Sequence, residues 1–592
     1  MILAQDGAAL YRQHCGSCHE SNPQTRAPSR DALRQLTPER ILDALESITG
    51  VMSAQGLARS PAERRTLAVY LSGKAFGTDA ALDPARSNCK ERPSFTDPLT
   101  RPNWNGWSTS LTNTRFQEGT AAGLDASRVP QLKLKWAFAY PGDIMAYGQP
   151  TVVGGRIFVG SAGRRVYSLD ASTGCTHWVY GTDSAVRSAI TIGPSNTTAT
   201  AFAAYFGDLA GNVYAVDAAT GKLLWKTSVE KHPATRITGA PVLYAGRLYV
   251  PVTSLEEASG ALANYQCCTF RGSVVALDAS TGKQIWKTYT IAQEPRIVGK
   301  NKNGVPQWAP SGAGVWSAPT LDIGRRTLYV ATGDSYTAPA ANTSDAIIAM
   351  NMDSGKLLWV RQLTEKDAWN VACIQPDTTN CPQNAGPDYD FGSSAILVDL
   401  GKGRRALLAG QKSGMVHAVD PDREGEILWQ VRAGQGGIVG GIEWGPAADS
   451  QNLYVAVSDI ALGAQPDPKT GGGLLALQQA DGKQIWRAAP TACPSDRTGC
   501  SPGQSAAVTV IPGVVFSGSL DGHLRAYSTT DGRVIWDYDT VREFTTVNGA
   551  AGRGGAINGP GPTVAGGMLF VNSGYGFLGQ MPGNVLLAFS PE

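Results

Sequence analysis

From about residue 132 to the C-terminus, apolar and polar positions alternate with a period of two, in short runs broken by turns. Val166-Tyr-Ser-Leu-Asp170 alternates, turns through Ala-Ser-Thr-Gly174 and alternates again to Trp178. The phrase returns over residues 213–221 to Trp225 and over 274–282 to Trp286. Weaker copies end at Trp359, Trp429, Trp486 and Trp536. Each copy predicts a strand, a tight turn and a strand, with Asp supplying local acceptors and Gly the positive φ. A shorter strand pair precedes it, as in Ala240-Pro-Val-Leu and Arg247-Leu-Tyr-Val. Four antiparallel strands per unit, repeated along the chain, predict a β-propeller.

Trp136, closing Leu132-Lys-Leu-Lys-Trp136, has no repeat body before it, and Val585-Leu-Leu-Ala-Phe589 is a body with no Trp after it. One blade built from both ends of the domain accounts for the two fragments and predicts eight blades. The eight closing Trp are 42, 47, 61, 73, 70, 57 and 50 residues apart, and the stretch carrying Cys373 and Cys381 reads as an inserted loop.

Residues 1–75 have a helical texture instead. Thr37-Pro38-Glu39 is an N-cap with Pro at the first position, followed by Ile41, Leu42, Leu45 and Ile48 at helical spacing. Ser60-Pro-Ala-Glu63 is a capping box before Leu67, Ala68, Tyr70 and Leu71. Residues 6–13 predict a further helix, running into Cys15-Gly-Ser-Cys18-His19. C-x-x-C-H is the attachment signature of c-type heme: two thiols add to the vinyl groups and His19 reaches the iron. Met52 is the one Met of this region after Met1, and a His/Met pair suits electron transfer. The whole segment resembles class I cytochrome c. Residues 76–100, with Pro84, Pro93 and Pro98 and no periodicity, read as a linker, leaving 101–592 for the propeller.

A formal charge of +2 argues against nucleic acid, which favours a basic surface, and no apolar run reaches the roughly 18 residues of a membrane span. Besides the heme pair, eight cysteines remain. Cys267/Cys268, Cys373/Cys381 and Cys493/Cys500 are close in sequence, which leaves Cys89 and Cys175 to pair by elimination. Disulfides imply an oxidising compartment, here a bacterial periplasm or the exterior. The chain opens without a full hydrophobic leader core.

Glu256 and Asp334 each follow the second strand of successive blades, and Asp390 precedes the first strand of the next. In antiparallel blades these points share one face, so three carboxylates converge on one mouth, a donor set suited to Ca²⁺.

The repeated Ala-x-Asp-x-x-Thr-Gly-x-x-x-Trp resembles the docking motif of pyrroloquinoline-quinone (PQQ) dehydrogenases, although propeller scaffolds without an active site carry it too. The resemblance to PQQ alcohol dehydrogenases implies that Glu256, Asp334 and Asp390 hold Ca²⁺ against the quinone, with Asp390 the general base. The family's Asp-x-Trp-Asp is here Asp388-Tyr-Asp390, and Asp367-Ala-Trp369-Asn370 is a competing match with an inert Asn. It further implies Trp316 as the floor beneath PQQ and Lys412 beside the reactive carbonyl. Arg187, Thr238 and Glu443-Trp444 would be further quinone contacts. Cys267-Cys268 would either cap the cofactor or stiffen its loop. The heme-first domain order, with Cys-Cys-Thr-Phe-Arg-Gly and Gly-Pro-Asp-Tyr-Asp-Phe-Gly, resembles the polyvinyl alcohol dehydrogenase branch of the quinohemoproteins. That resemblance implies oxidation of secondary hydroxyls to ketones, with electrons passing from PQQ to heme c and on to an external cytochrome c or quinone. Oxidation of small alcohols, sugar oxidation and a non-enzymatic electron-carrying scaffold are the alternatives.

Overall fold

The computed structural model describes residues 6–20, 27–46, 52, 55–56, 59–76, 87–91, 93–195, 202–460 and 472–591. Ile48 and Pro84 therefore lie outside the described residues. Eight antiparallel sheets, each holding a four-stranded blade, form the propeller. Blade 1 comprises Thr151–Val153, Arg156–Gly160, Arg165–Asp170 and Thr176–Gly181. The eighth blade is drawn from both ends of the domain: Leu132–Ala139 pairs antiparallel with Val585–Pro591, as the split repeat required. First strands such as Thr151–Val153 are buried, whereas last strands such as Leu223–Ser228 are largely exposed.

The repeat phrase is an interlock between blades. Asp170, Asp217 and Asp278 accept backbone N–H groups of their own turns through Oδ1. The Trp of one blade lies against the turn of the next: Trp136 Nε1 donates to Ala171 O, Trp178 to Ala218 O, Trp225 to Ala279 O, and Trp536 to Leu132 O, closing the ring. The turn glycine must lack a side chain. A Cβ on Gly174 or Gly221 would lie 2.8 Å from the neighbouring indole, and both have positive φ.

Residues 104–117 form a band that bonds to the first strand of seven of the eight blades. Trp104 exchanges backbone bonds with Val152 of blade 1, and Asn105 bonds Ile192 of blade 2. The carbonyls of Leu111, Thr112 and Thr114 accept from Leu321, Leu397 and Ala448 of blades 4, 5 and 6; Gln117 bonds Val510 of blade 7 and Val564 of blade 8. Arg115 is fully buried in this band. Its guanidinium donates to the carbonyls of Val508 and Trp107 and to Gln149 and Thr509, and burial pushes its pKa down to about 9. Arg115→Met strands several of those acceptors, each worth ~1–3 kcal/mol, so its apparent melting temperature should fall by several degrees in a thermal scan. An unchanged midpoint would mean that the band contributes no stability.

The heme domain contains helices Gly7–His14, Pro38–Glu46 and Pro61–Ser72, the last with the full Ser60/Glu63 capping box. Residues 87–91 and 93–100 are tied to blade 1. Cys89 is bonded to Cys175 at the turn of blade 1, and Phe95 meets Phe158 edge-on. All four expected disulfides form.

Candidate active site

One cavity on the propeller mouth gathers Arg187, Thr238, Trp316, Asp334, Asp390, Lys412, Glu443 and Trp444. Asp334 and Lys412 come from equivalent loops, each following the second strand of its blade, Thr327–Ala331 and Arg404–Gly410. Asp390 arrives just before the strand Ile396–Gly401. Its Oδ1 accepts from the Asp334 backbone N–H at 2.6 Å, and its Oδ2 from Lys412 Nζ at 2.7 Å. Lys412 also donates to Asp388 Oδ1 at 3.0 Å. Burial opposes the Lys412 charge, but the Asp388 and Asp390 carboxylates prevail and hold its pKa well above the ordinary lysine value.

The competing segment has a structural task. Asp367 accepts the N–H groups of Asp388 and Tyr389, shaping the loop that presents Asp390. Asn370 caps the turn Val371–Ile374 and bonds the carbonyls of Tyr336 and Asn380.

The carboxylate from blade 3 is Glu257. Glu256 is fully buried and accepts from Thr269 N, Phe270 N and Tyr265 Oη, with His232 3.4 Å away. The cavity is lined by Glu257 instead. The strand Arg247–Ser254 ends in the single helical turn Glu256–Ser259. There, successive side chains diverge by about 100°, so Glu256 points into the protein and its neighbour into the mouth.

Of the two alternatives for Cys267 and Cys268, capping the cofactor or stiffening the loop, the packing fits the second. Both are fully buried among Val252, Phe270 and Tyr336 and do not line the cavity. Cys267 O and Cys268 N bond the backbone of Trp308 in the hairpin Arg296–Lys300/Pro306–Ala309. The disulfide therefore stiffens the segment whose next two N–H groups clamp Glu256.

The residues present fit a cation. Single carboxylate oxygens of Asp334, Asp388 and Asp390 lie within 4.8 Å of one another, and all three residues are buried. Asp334 Oδ2 is buried without a hydrogen-bond partner. Burial, then the Asp390, Asp388 and Glu257 charges, push the Asp334 carboxyl well above its ordinary range. Four carboxylates facing one ammonium form a site that an oxygen-seeking ion would relieve.

They also fit a flat, acidic quinone. The Trp316 ring stands edge-to-face with Trp444, 5.5 Å between centroids, and Lys412 Nζ is 5.5 Å from its centre. A Cβ on Gly392 would strike the Trp316 ring at 2.4 Å, and one on Gly333 would lie 2.6 Å from Asp390 Oδ1, so both positions require glycine. Arg187 stacks 4.0 Å over Trp444 and leaves Nη2 buried without a hydrogen-bond partner. Arg236, which no sequence pattern singled out, lines the cavity too. Thr238 Oγ1 donates to Trp316 O, Glu443 accepts from Ser505, and Trp444 Nε1 donates to Asn558.

In the heme domain Cys15 and Cys18 form no disulfide. His19 is buried, and its Nδ1 lies 2.7 Å from Pro28 O. That bond places the ring proton on Nδ1 and leaves Nε2 with a lone pair. Met52 packs against the domain core.

Residues 104–436 match the family described as "Glucose/ethanol/alcohol dehydrogenase, beta-propeller domain", and residues 3–71 match "Cytochrome C oxidase, cbb3-type, subunit III". The chain is 42% identical to a polyvinylalcohol dehydrogenase of a Pseudomonas sp., covering 99% of this chain and 94% of that one. It is 40% identical to a polyvinylalcohol dehydrogenase of Sphingopyxis sp. (strain 113P3), covering 99% and 93%. Among solved structures, quinohemoprotein alcohol dehydrogenase from Comamonas testosteroni superposes with a TM-score of 0.61 at 19% identity, over 83% of this chain and 80% of that one, a likeness of fold. A PQQ propeller fused to a cytochrome c domain, similar over nearly its full length to these enzymes, belongs to the polyvinylalcohol dehydrogenase family.

Proposed function

We infer that the protein oxidises secondary hydroxyl groups of polyvinyl alcohol to ketones, passing electrons through heme c to an external cytochrome c or quinone. The observation that carries this reading is the Asp390–Lys412 pair beside the Trp316 indole and a carboxylate cluster, in a chain of the polyvinylalcohol dehydrogenase family. When bound, PQQ supplies the hydride acceptor, the cation polarises the reacting carbonyl, and the heme takes electrons onward singly.

The chain's own groups do the rest. Asp390 takes the hydroxyl proton at a carboxylate oxygen that the Asp334 N–H and Lys412 hold in place. Lys412 sets a positive charge where negative charge develops on oxygen. Arg187 and Arg236 line the cavity where they would answer the cofactor's carboxylates, and Trp316 would support its plane. Glu257, Asp334, Asp388 and Asp390 would hold Ca²⁺. Cys15 and Cys18 would attach the heme, and His19 and Met52 would hold its iron. Four disulfides favour a periplasmic or secreted protein, and no helix among the described residues is long and apolar enough to cross a membrane.

The test is the visible spectrum of protein loaded with PQQ, Ca²⁺ and heme, recorded anaerobically before and after adding polyvinyl alcohol. Reduced c-type bands should appear with the polymer. Reduction by butan-2-ol but not by polymer would reassign the substrate to small alcohols, and no reduction by either would leave a scaffold. Lys412→Ala should lower the turnover number ~10²–10³-fold, and a smaller loss than tenfold would remove its charge from the chemistry.

A further inference from the structure

Arg40, on the heme-domain helix Pro38–Glu46, reaches the propeller. Its Nη2 donates to Ala162 O at 2.7 Å, and its Nε lies 3.7 Å from Asp143 Oδ1. Ala162 belongs to the loop between Arg156–Gly160 and Arg165–Asp170, the blade-1 counterpart of the loops bearing Asp334 and Lys412. The heme domain is therefore seated on the same face as the quinone site. The contact is also continuous with that site. Ala162 and Tyr147 share an apolar cluster with Tyr575 and Phe577, which line the cavity. The Arg187 guanidinium lies 5.8 Å from the Tyr147 ring on one side and over Trp444 on the other.

The acid at this contact is built in. The Asp143 side chain is 1% exposed, and its Oδ2 accepts from Gly163 N at 2.8 Å. A Cβ on Gly163 would lie 3.0 Å from that carboxylate. Asp143 Oδ1 and Arg40 Nε are both buried without hydrogen-bond partners, and they face each other across the interface. Burial pushes the Asp143 carboxyl up to about 6, and Arg40 is the strongest influence in the other direction, ahead of Arg165. A buried charge whose principal counterion comes from the other domain favours the seated arrangement, because separating the pair leaves that charge unanswered.

We propose that the Arg40–Asp143 pair, with the Arg40–Ala162 bond, is a latch that seats the heme domain on the propeller mouth for electron transfer, both residues acting as positioning residues. This rests on the function inferred above. Two electrons leave the reduced cofactor and the heme iron takes one at a time, Fe(III) to Fe(II), so an external one-electron acceptor must discharge the heme between them.

The experiment compares wild type with Arg40→Gln and Asp143→Asn as loaded holoenzymes. Stopped-flow absorbance follows heme reduction after alcohol is mixed in, phenazine methosulfate draws electrons from the propeller directly, and hydrogen exchange reports on residues 38–46 and 143–163. Arg40→Gln should slow heme reduction roughly tenfold or more through a smaller seated population, with dye reduction unchanged and exchange faster in both segments. Arg40→Lys should recover part of the rate, and an unaltered heme spectrum with normal dithionite reduction separates unlatching from heme-domain misfolding. Wild-type heme reduction that persists unchanged in Arg40→Gln and Asp143→Asn, with unchanged exchange, overturns the latch. Wild type that never reduces its heme with alcohol overturns the function itself, while the exchange comparison still decides whether the pair seats the domain.

Discussion

Asp390→Asn should lower the turnover number with alcohol by ~10²–10⁴-fold, the range that a positioned general base supplies. The replacement is isosteric. It keeps an oxygen for the Asp334 N–H or for Lys412, and Lys412 retains Asp388 as a partner. The cavity should therefore still bind PQQ, and the heme domain, joined to other residues, should keep its spectrum. Quinone fluorescence quenching and dithionite reduction of the heme verify both while steady-state oxidation is measured. A variant with more than a tenth of wild-type turnover would transfer the base role to another group, Asp388 first, because it shares Lys412.

Glu257→Gln should raise the Ca²⁺ concentration needed for half-maximal activity by ~10–100-fold or more. Glu256→Gln should act on the fold instead. Its carboxylate holds Thr269 N, Phe270 N and Tyr265 Oη, and weakening these bonds costs about 1–3 kcal/mol. Calorimetric titration of chelator-stripped protein with Ca²⁺, beside a thermal scan, distinguishes the two. If Glu256→Gln lost the ion and Glu257→Gln kept it, the loop would have to turn by a residue when the cation binds, and the assignment of Glu257 would fall. The comparison is informative because the two residues are adjacent and chemically identical, and differ only in direction.

Several features needed no tertiary information. Asp170, Gly174 and Trp178 mark their turn and strand within nine residues, and the same letters recur from blade to blade. The heme motif is as local: two thiols and an imidazole at fixed spacing on one turn, with the Pro28 contact to His19 coming from farther away. Asp390 is legible because the repeat sets the strand that it precedes, whereas Lys412 and Trp316 rest on the resemblance to PQQ alcohol dehydrogenases. Their convergence is a consequence of blade order, and the cavity they share has it.

The remainder lay where alternation stops. Glu256 was the natural choice on strand counting, since it follows Arg247–Ser254, but one helical turn intervenes and rotates the next residue toward the mouth. Arg236 sits in the two-residue strand Thr235–Arg236, too short for a pattern. Cys267-Cys268 could be read as a disulfide but not located, because its neighbours Trp308 and Tyr336 come from other loops. The band 104–117 has neither repeat nor motif, and its order comes from bonds to seven blades at once.

By itself, then, the sequence determined the number of blades, their closure through both ends of the propeller domain, the disulfide pairs and the heme-attachment motif, because periodicity, turn chemistry and covalent spacing act between near neighbours. Tertiary structure alone decided which glutamate faces the cavity, where the vicinal disulfide lies, how Arg115 is buried and where the heme domain sits. Those depend on side-chain direction in irregular loops and on contacts such as Arg40 with Asp143, far apart in the chain, whose energies exist only once the blades have closed.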